Sequence, residues 1–293
     1  MAPLVRAMGL LMLVAAGCAA VPQQSVSPPP VRLALDPFYA KYLDARGIPV
    51  TTSGRVPDAA LFAARDTVDA MLSKRPDLRR QLIKMGERVG VMAPDEYTTD
   101  LPEQRDWKKP IVADGRLTFC ERKNYLAIVN MSDREYWNTR ARGMGGLYTT
   151  VGAENLLGTP GAVYFGENIL VHEFSHAMLR AIEVADPQLY AEVGAAYDNA
   201  KATGLWKGSY AMQNVQEYWA EGAQFWFNSN VAYKRGAALV ILNAADMQAY
   251  DPTLYRALAR IFSASHRIAA DAFYMHPARI NSHAVPEDGS EVC

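Results

Sequence analysis

Two histidines four residues apart, His172 and His176, with Glu173 between them, constrain this chain more than any other feature. A helix is predicted around them by apolar residues at helical spacing: Ile169, Leu170, Phe174, Met178 and Leu179. Residues four apart share one face of a helix, so both imidazoles can point at one ion. Glu173 is then placed to accept a proton from a metal-bound water. This HExxH motif predicts one zinc ion per chain.

A third protein ligand is expected, because catalytic zinc sites combine three protein ligands with a water molecule. One class of zinc peptidase places Gly and a third His soon after the motif, but Leu179 occupies the Gly position and no His follows nearby. The remaining common source is a glutamate on a later helix. The apolar helix predicted after residue 214 carries Glu217 and Glu221, one turn apart. The residue pattern alone leaves both open.

With HEFSH at 172–176 and EYWAE at 217–221, the sequence resembles the gluzincin peptidases, and more closely the catalytic domain of the anthrax lethal factor type. The resemblance covers roughly residues 142–230. It implies a zincin-like fold, Glu217 as the zinc ligand, and Tyr210 as a catalytic hydrogen-bond donor to the oxyanion. Other tyrosines that could reach a cleft instead are Tyr148, Tyr164 and Tyr218.

Glu221 corresponds to the second acid of that family. A carboxylate one turn from a ligand can orient a metal-bound imidazole through its free N–H, and His172 is the expected partner. The other three histidines fall at no ligand spacing and are expected to be surface or packing residues: His266, His276 and His283.

In gluzincins an edge strand before the HExxH helix pairs with an extended substrate, a mode of recognition known as strand addition. The corresponding segment here is Gly145–Val151. The expected substrate-binding residues are Gly145, Gly146, Leu147 and Tyr148. The alternative is a turn and strand with a structural role only.

The N-terminus is typical of an export signal, with Arg6 before an apolar stretch that ends in Gly17-Cys18. This stretch is too short to span a bilayer. Its end, VAAGC, resembles the lipobox of bacterial lipoproteins, although Ala15 stands where Leu is preferred. The resemblance implies a signal peptide over residues 1–17 and lipidation of Cys18. Cleavage after Ala20 and plain secretion are the alternative.

Residues 18–32 are rich in Pro, Ser and Gln and predict a tether, followed by one domain over 33–293. The expected location is the cell envelope, with a lipid anchor in the membrane, or the exterior. An oxidising compartment would allow Cys120 and Cys293 to pair, and two unpaired thiols are the alternative.

The residue pattern predicts an α+β domain, with a small mixed sheet followed by a mostly helical half that carries the HExxH helix and the later Glu helix. Half of the 293 residues are hydrophobic, enough for a sizeable core. Predicted helices span 36–45, two segments of 58–85 separated at Pro76, 168–184, 187–202, 215–228, 231–247 and 252–264. Predicted strands span 47–52, 88–93, 124–130 and 147–151.

These features predict a zinc-dependent metallopeptidase that acts on a peptide or protein. The formal net charge is -1 and no long basic run is present, which argues against a nucleic acid partner. The alternative is a non-catalytic zinc-stabilised binding or scaffolding lipoprotein. Glu173 argues against it, because a purely structural zinc site needs no general base.

Overall fold

A computed structural model describes residues 25–115 and 117–293. The predicted signal peptide, Cys18 and the first part of the tether lie outside these ranges. Within them, no helix combines the length and the apolar character needed to cross a membrane. The described end of the tether lies against the domain, because Ser27 pairs with Tyr42 in an antiparallel bridge. Contact with the domain thus begins before the predicted boundary at residue 33.

The N-terminal half is built on a mixed five-stranded sheet of strand order β1-β2-β3-β5-β4. Its strands are β1 (Lys41–Ala45), β2 (Ile48–Thr52), β3 (Arg88–Met92), β4 (Gly143–Met144) and β5 (Tyr148–Gly152). The pairs β1–β2 and β4–β5 are antiparallel, while β2–β3 and β3–β5 are parallel. The predicted small mixed sheet is confirmed.

The predicted helix over 36–45 is wrong, because its second half is strand β1. Arg46 and Gly47 connect β1 to β2, and both have positive φ, 51° and 99°. Such two-residue turns match the twist of the strands they join. Pairing of Lys41 with Thr52 through to Ala45 with Ile48 therefore overrides the local helical pattern.

Two helices cross over between β2 and β3: α1 (Asp58–Met71) and α2 (Pro76–Met85). The predicted break at Pro76 is confirmed, and Pro76 is the first residue of α2. Its fixed φ suits this position, where its missing N–H costs no hydrogen bond. The buried face of α1 includes Leu61, Ala64, Val68 and Met71.

A small lobe, defined here as residues 107–115 and 117–140, has its own apolar cluster around Ile128, Tyr136 and Trp137. Its helices are α3 (Phe119–Lys123), α4 (Tyr125–Val129) and α5 (Asp133–Arg140). The strand predicted over 124–130 is wrong, because this segment forms α4. Ile128 alone is buried in α4, and the flanking helices begin at capping boxes of Thr118 and Ser132, so local helical caps dominate here.

A disulfide joins Cys120 of α3 to Cys293, with the Cα atoms 5.3 Å apart. Of the two alternatives open from the sequence, the structure thus has the paired form. The bond fastens the small lobe to the C-terminal segment. Gln213 Nε2 also donates to Glu291 Oε1 at 3.2 Å, so the same segment lies against the chain just after Tyr210.

The C-terminal half is mostly helical, as predicted. Its helices are α6 (Ala153–Leu156), α7 (Ile169–Ala185), α8 (Pro187–Thr203), α9 (Val215–Trp226), α10 (Ala244–Tyr250) and α11 (Pro252–Ile261). The helix predicted over 231–247 is wrong, because a hairpin of β6 (Tyr233–Arg235) and β7 (Ala238–Ile241) precedes α10. Gly236 turns the hairpin at φ 54°, and an Asn243 capping box delays the helix until Ala244.

Replacing Cys293 with Ser is expected to lower the free energy of unfolding by about 2–5 kcal/mol, because the unfolded chain gains freedom when a long loop is opened. Urea unfolding followed by the fluorescence of the five tryptophans measures the difference. Reduced wild-type protein should unfold at the same urea concentration as Cys293→Ser. A variant that matches oxidised wild-type protein would show that the bond adds no stability.

Candidate metal centre

Helices α7 and α9 pack against each other and direct His172, His176 and Glu217 towards one point. Both helices start at defined caps. The Asn168 side chain accepts from Val171 N, and the Asn214 side chain accepts from Gln216 N and Glu217 N. These caps fix where each helix begins, and the ligating residues lie within the first turns.

The three predicted ligands are brought together with separations that suit a metal ion. Glu217 Oε2 lies 3.0 Å from His172 Nε2 and 3.6 Å from His176 Nε2. Tetrahedral zinc with bonds of 2.0–2.1 Å requires ligand atoms roughly 3.4 Å apart. Two nitrogens and one carboxylate oxygen are also a common donor set for catalytic zinc. The residues therefore fit a zinc ion.

Burial determines the protonation state of His176. It lowers the pKa of His176 to about 4, with Glu217 opposing the shift. The ring is therefore neutral at pH 7, the form that binds a metal. Burial also disfavours the charged form of His172, but its hydrogen bond with Glu217 raises the pKa well above the ordinary value.

The predicted base, Glu173, lies beside the three ligands. Its Oε2 is 3.9 Å from His176 Nε2, and only 15% of its side chain is exposed. Burial raises the pKa of Glu173 to about 7, although the nearby charges of His172 and Arg140 act to lower it. A carboxylate with these neighbours can both take up and release a proton near neutral pH.

Gln224 takes the place expected for Glu221 as the partner of His172. Its Oε1 lies 2.9 Å from His172 Nδ1, whereas Glu221 Oε1 is 3.6 Å away. Glu221 accepts a hydrogen bond from Asn230 Nδ2 at 2.9 Å instead. Gln224 could have been identified from the sequence by the helical period, because residues 217, 221 and 224 follow the i, i+4, i+7 spacing of one helix face.

A cleft of about 970 Å³ runs over these residues, between the small lobe and the C-terminal half. Tyr210 begins a 3-10 turn, Tyr210–Met212, and lines the cleft with its ring 6.2 Å from that of His172. Tyr164 lines it as well. Tyr148 contacts Tyr39, and the Tyr218 hydroxyl donates to Asp251 in the core at 2.7 Å. Two of the four candidate tyrosines therefore remain.

The segment predicted to be an edge strand is not at the edge. β5 pairs with β3 on one side and with β4 on the other, so the outermost strand is β4. The chain reverses at Gly145-Gly146, and these two glycines line the cleft, whereas Leu147 and Tyr148 do not. After this reversal, β4 pairs along the side of β5 that the family resemblance had implied to be the free edge.

Gly145 passes so close to the second histidine that no side chain fits. A Cβ on Gly145 would lie 2.4 Å from His176 Cδ2. Only glycine allows the backbone this approach. The reversal between β4 and β5 therefore braces the His176 ring from the side of the sheet.

Side chains from outside α7 and α9 also line the cleft. Arg140 of the small lobe donates to Glu121 Oε1 at 2.8 Å. Glu167 lies just before α7, and burial raises its pKa to about 7, with Glu221 adding to the shift. His283, expected at the surface or in packing, lines the cleft too. No spacing in the sequence relates these residues to the HExxH motif.

Neither a protein family nor a curated protein matches the sequence. Among solved structures, the PRO-PRO endopeptidase (PPEP-2) from Paenibacillus alvei is similar to this chain, with 17% identity and a TM-score of 0.43. The similarity covers 73% of this chain and 96% of that one. At this level it supports no conclusion about activity.

Gly145→Ala is expected to weaken zinc binding by about ten- to hundredfold, because the added methyl displaces the His176 ring. Chelator competition measures the dissociation constant, and circular dichroism checks the fold. Gly194→Ala is the matched control, since a Cβ there meets nothing within 4 Å. Equal zinc affinity in both variants would contradict the close contact between Gly145 and His176.

Proposed function

We propose that this protein is a zinc-dependent metallopeptidase of the gluzincin type, with a zincin-like domain that cleaves a peptide or protein in the cleft. The observation that carries the proposal is the convergence of two imidazoles and one carboxylate beside the buried carboxyl of Glu173. A metal ligand set with a potential proton acceptor next to it is the arrangement that metal-assisted hydrolysis needs.

Two further observations favour a catalytic over a structural zinc site. Structural sites are closed by four protein ligands. In the described part of the chain, no fourth His, Cys, Asp or Glu joins the ligand group of His172, His176 and Glu217. The same three residues line a cleft that is large enough for several residues of an extended peptide.

The residues have separate roles in the proposed reaction. When bound, zinc lowers the pKa of its water and polarises the substrate carbonyl. Glu173 takes the proton from the attacking water and passes it to the leaving amine. The Tyr210 hydroxyl donates to the carbonyl oxygen as negative charge develops there. The outer edge of β4 and the backbone at Gly145 bind the substrate as an added strand.

Export with a lipid anchor at Cys18 is part of the proposal. Its support is the apolar N-terminal stretch that ends in the lipobox-like VAAGC. Mass spectrometry of protein from a membrane fraction should find a mature chain that starts at a lipid-modified Cys18. An unmodified start at Val21 would instead indicate plain secretion.

Glu173→Gln is expected to reduce peptide cleavage at least about a hundredfold while one zinc per chain remains bound, because the amide cannot accept the proton. Cleavage of a mixed peptide library, read by mass spectrometry with and without chelator, measures the loss. Glu183→Gln, on the exposed side of the same helix, is the matched control.

Two outcomes would count against this function. Near-wild-type cleavage by zinc-loaded Glu173→Gln protein would remove Glu173 as the base. Zinc-loaded wild-type protein that cleaves no peptide of the library would favour the non-catalytic binding lipoprotein.

A further inference from the structure

Gln224 is a fully buried polar side chain in the contact between α7 and α9. A buried amide is costly unless its hydrogen bonds are made. Three are present: Oε1 lies 2.9 Å from His172 Nδ1, and Nε2 donates to Asn168 O at 3.0 Å and to Glu167 Oε2 at 3.4 Å. The side chain is therefore held at both ends.

These contacts fix which way the amide points. Asn168 O is a backbone carbonyl and can only accept, so the atom that faces it must be the nitrogen of the Gln224 amide. The amide oxygen then faces His172. Since that oxygen can only accept, His172 must carry a hydrogen on Nδ1. Its Nε2, which lies 3.0 Å from Glu217 Oε2 on the side of the metal centre, is then the nitrogen left to bind a metal once its hydrogen is lost.

Asn168, which orients the amide, is itself held firmly. Its side chain caps α7 by accepting from Val171 N at 3.1 Å and donates to Asp271 Oδ1 at 2.9 Å. The orientation of Gln224 is thus set by the first turn of the helix that carries His172. A neutral oxygen also adds no charge to a cleft already lined by Glu167, Glu173, Glu217 and Glu221.

We propose that Gln224 is a positioning residue that holds the His172 ring with hydrogen on Nδ1 and Nε2 directed to zinc. The inference rests on the zinc site of the proposed function but not on peptide cleavage. Glu221 does not take this role, because it is farther from Nδ1 and is engaged by Asn230. A metal-bound imidazole generally needs such a partner at its other nitrogen.

The test compares three variants in the zinc-loaded protein. Gln224→Leu removes the acceptor at similar size, Gln224→Glu keeps an acceptor, and Glu221→Gln is the control at the competing position. Chelator competition gives the zinc dissociation constant. Nitrogen-15 NMR of the histidine rings identifies the metal-bound nitrogen of His172 and detects the hydrogen on Nδ1.

We expect wild-type protein and Glu221→Gln to show zinc on Nε2 and a slowly exchanging Nδ1–H. Gln224→Leu should lose the slow exchange and bind zinc about ten- to hundredfold more weakly. Gln224→Glu should keep the Nδ1–H signal, but its second oxygen would face Asn168 O in place of the amide nitrogen, so this variant is compared by the signal and not by zinc affinity. The NMR signal separates positioning from a general loss of packing.

Three results would overturn the inference. They are unchanged affinity and exchange in Gln224→Leu, loss of both in Glu221→Gln, and coordination of wild-type His172 through Nδ1. The last needs no variant and holds even if Gln224→Leu fails to fold. Wild-type protein that binds no zinc would instead refute the metal site of the proposed function.

Discussion

The packing of α7 against α9 is the contact on which the candidate metal centre depends. Two ligands come from one helix and the third from the other, so a small shift between them would separate the donor atoms. Both helices are largely buried in the hydrophobic core, with Phe174 on α7 and Phe225 on α9 among its members. Hydrogen bonds cross the contact as well: Gln224 of α9 pairs with His172 Nδ1 and donates to the carbonyl of Asn168, the cap of α7. Unmatched groups there would each cost free energy, which ties the relative position of the helices to these hydrogen bonds.

Elements whose pattern is local and long could be predicted from the sequence. α7, α8, α9 and α11 combine apolar residues at helical spacing with caps or an initial proline, and the structure has them within a few residues of the expected bounds. The predictions for short segments were wrong where pairing with a neighbouring strand determines the secondary structure. β1 is a strand because β2 lies across a tight turn, and the hairpin before α10 forms around Gly236. The residue pattern of one segment alone does not reveal such strand pairing.

In the candidate site, too, some residues could be predicted from the sequence and others could not. His172, Glu173 and His176 follow from spacing on one helix, and Glu217 from the family resemblance, and the structure brings these residues together. The helical period places Gln224 on the same face as Glu217 and Glu221. The orientation of its amide, however, follows only from the contact with Asn168 O, which the sequence does not show. Arg140 and His283 reach the cleft through the small lobe and the C-terminal segment. Their positions depend on tertiary packing, which no local pattern encodes.

The Cys120–Cys293 bond also makes the chain between these residues a closed covalent ring. That ring contains both metal-binding helices and every candidate ligand. A single break in any loop inside it, such as residues 204–209 between α8 and α9, leaves the two pieces joined as one molecule. Ligands from α7 and α9 would then stay at a high effective concentration towards each other. A protein exposed to proteolytic nicking would in this way keep its metal centre assembled after one cut.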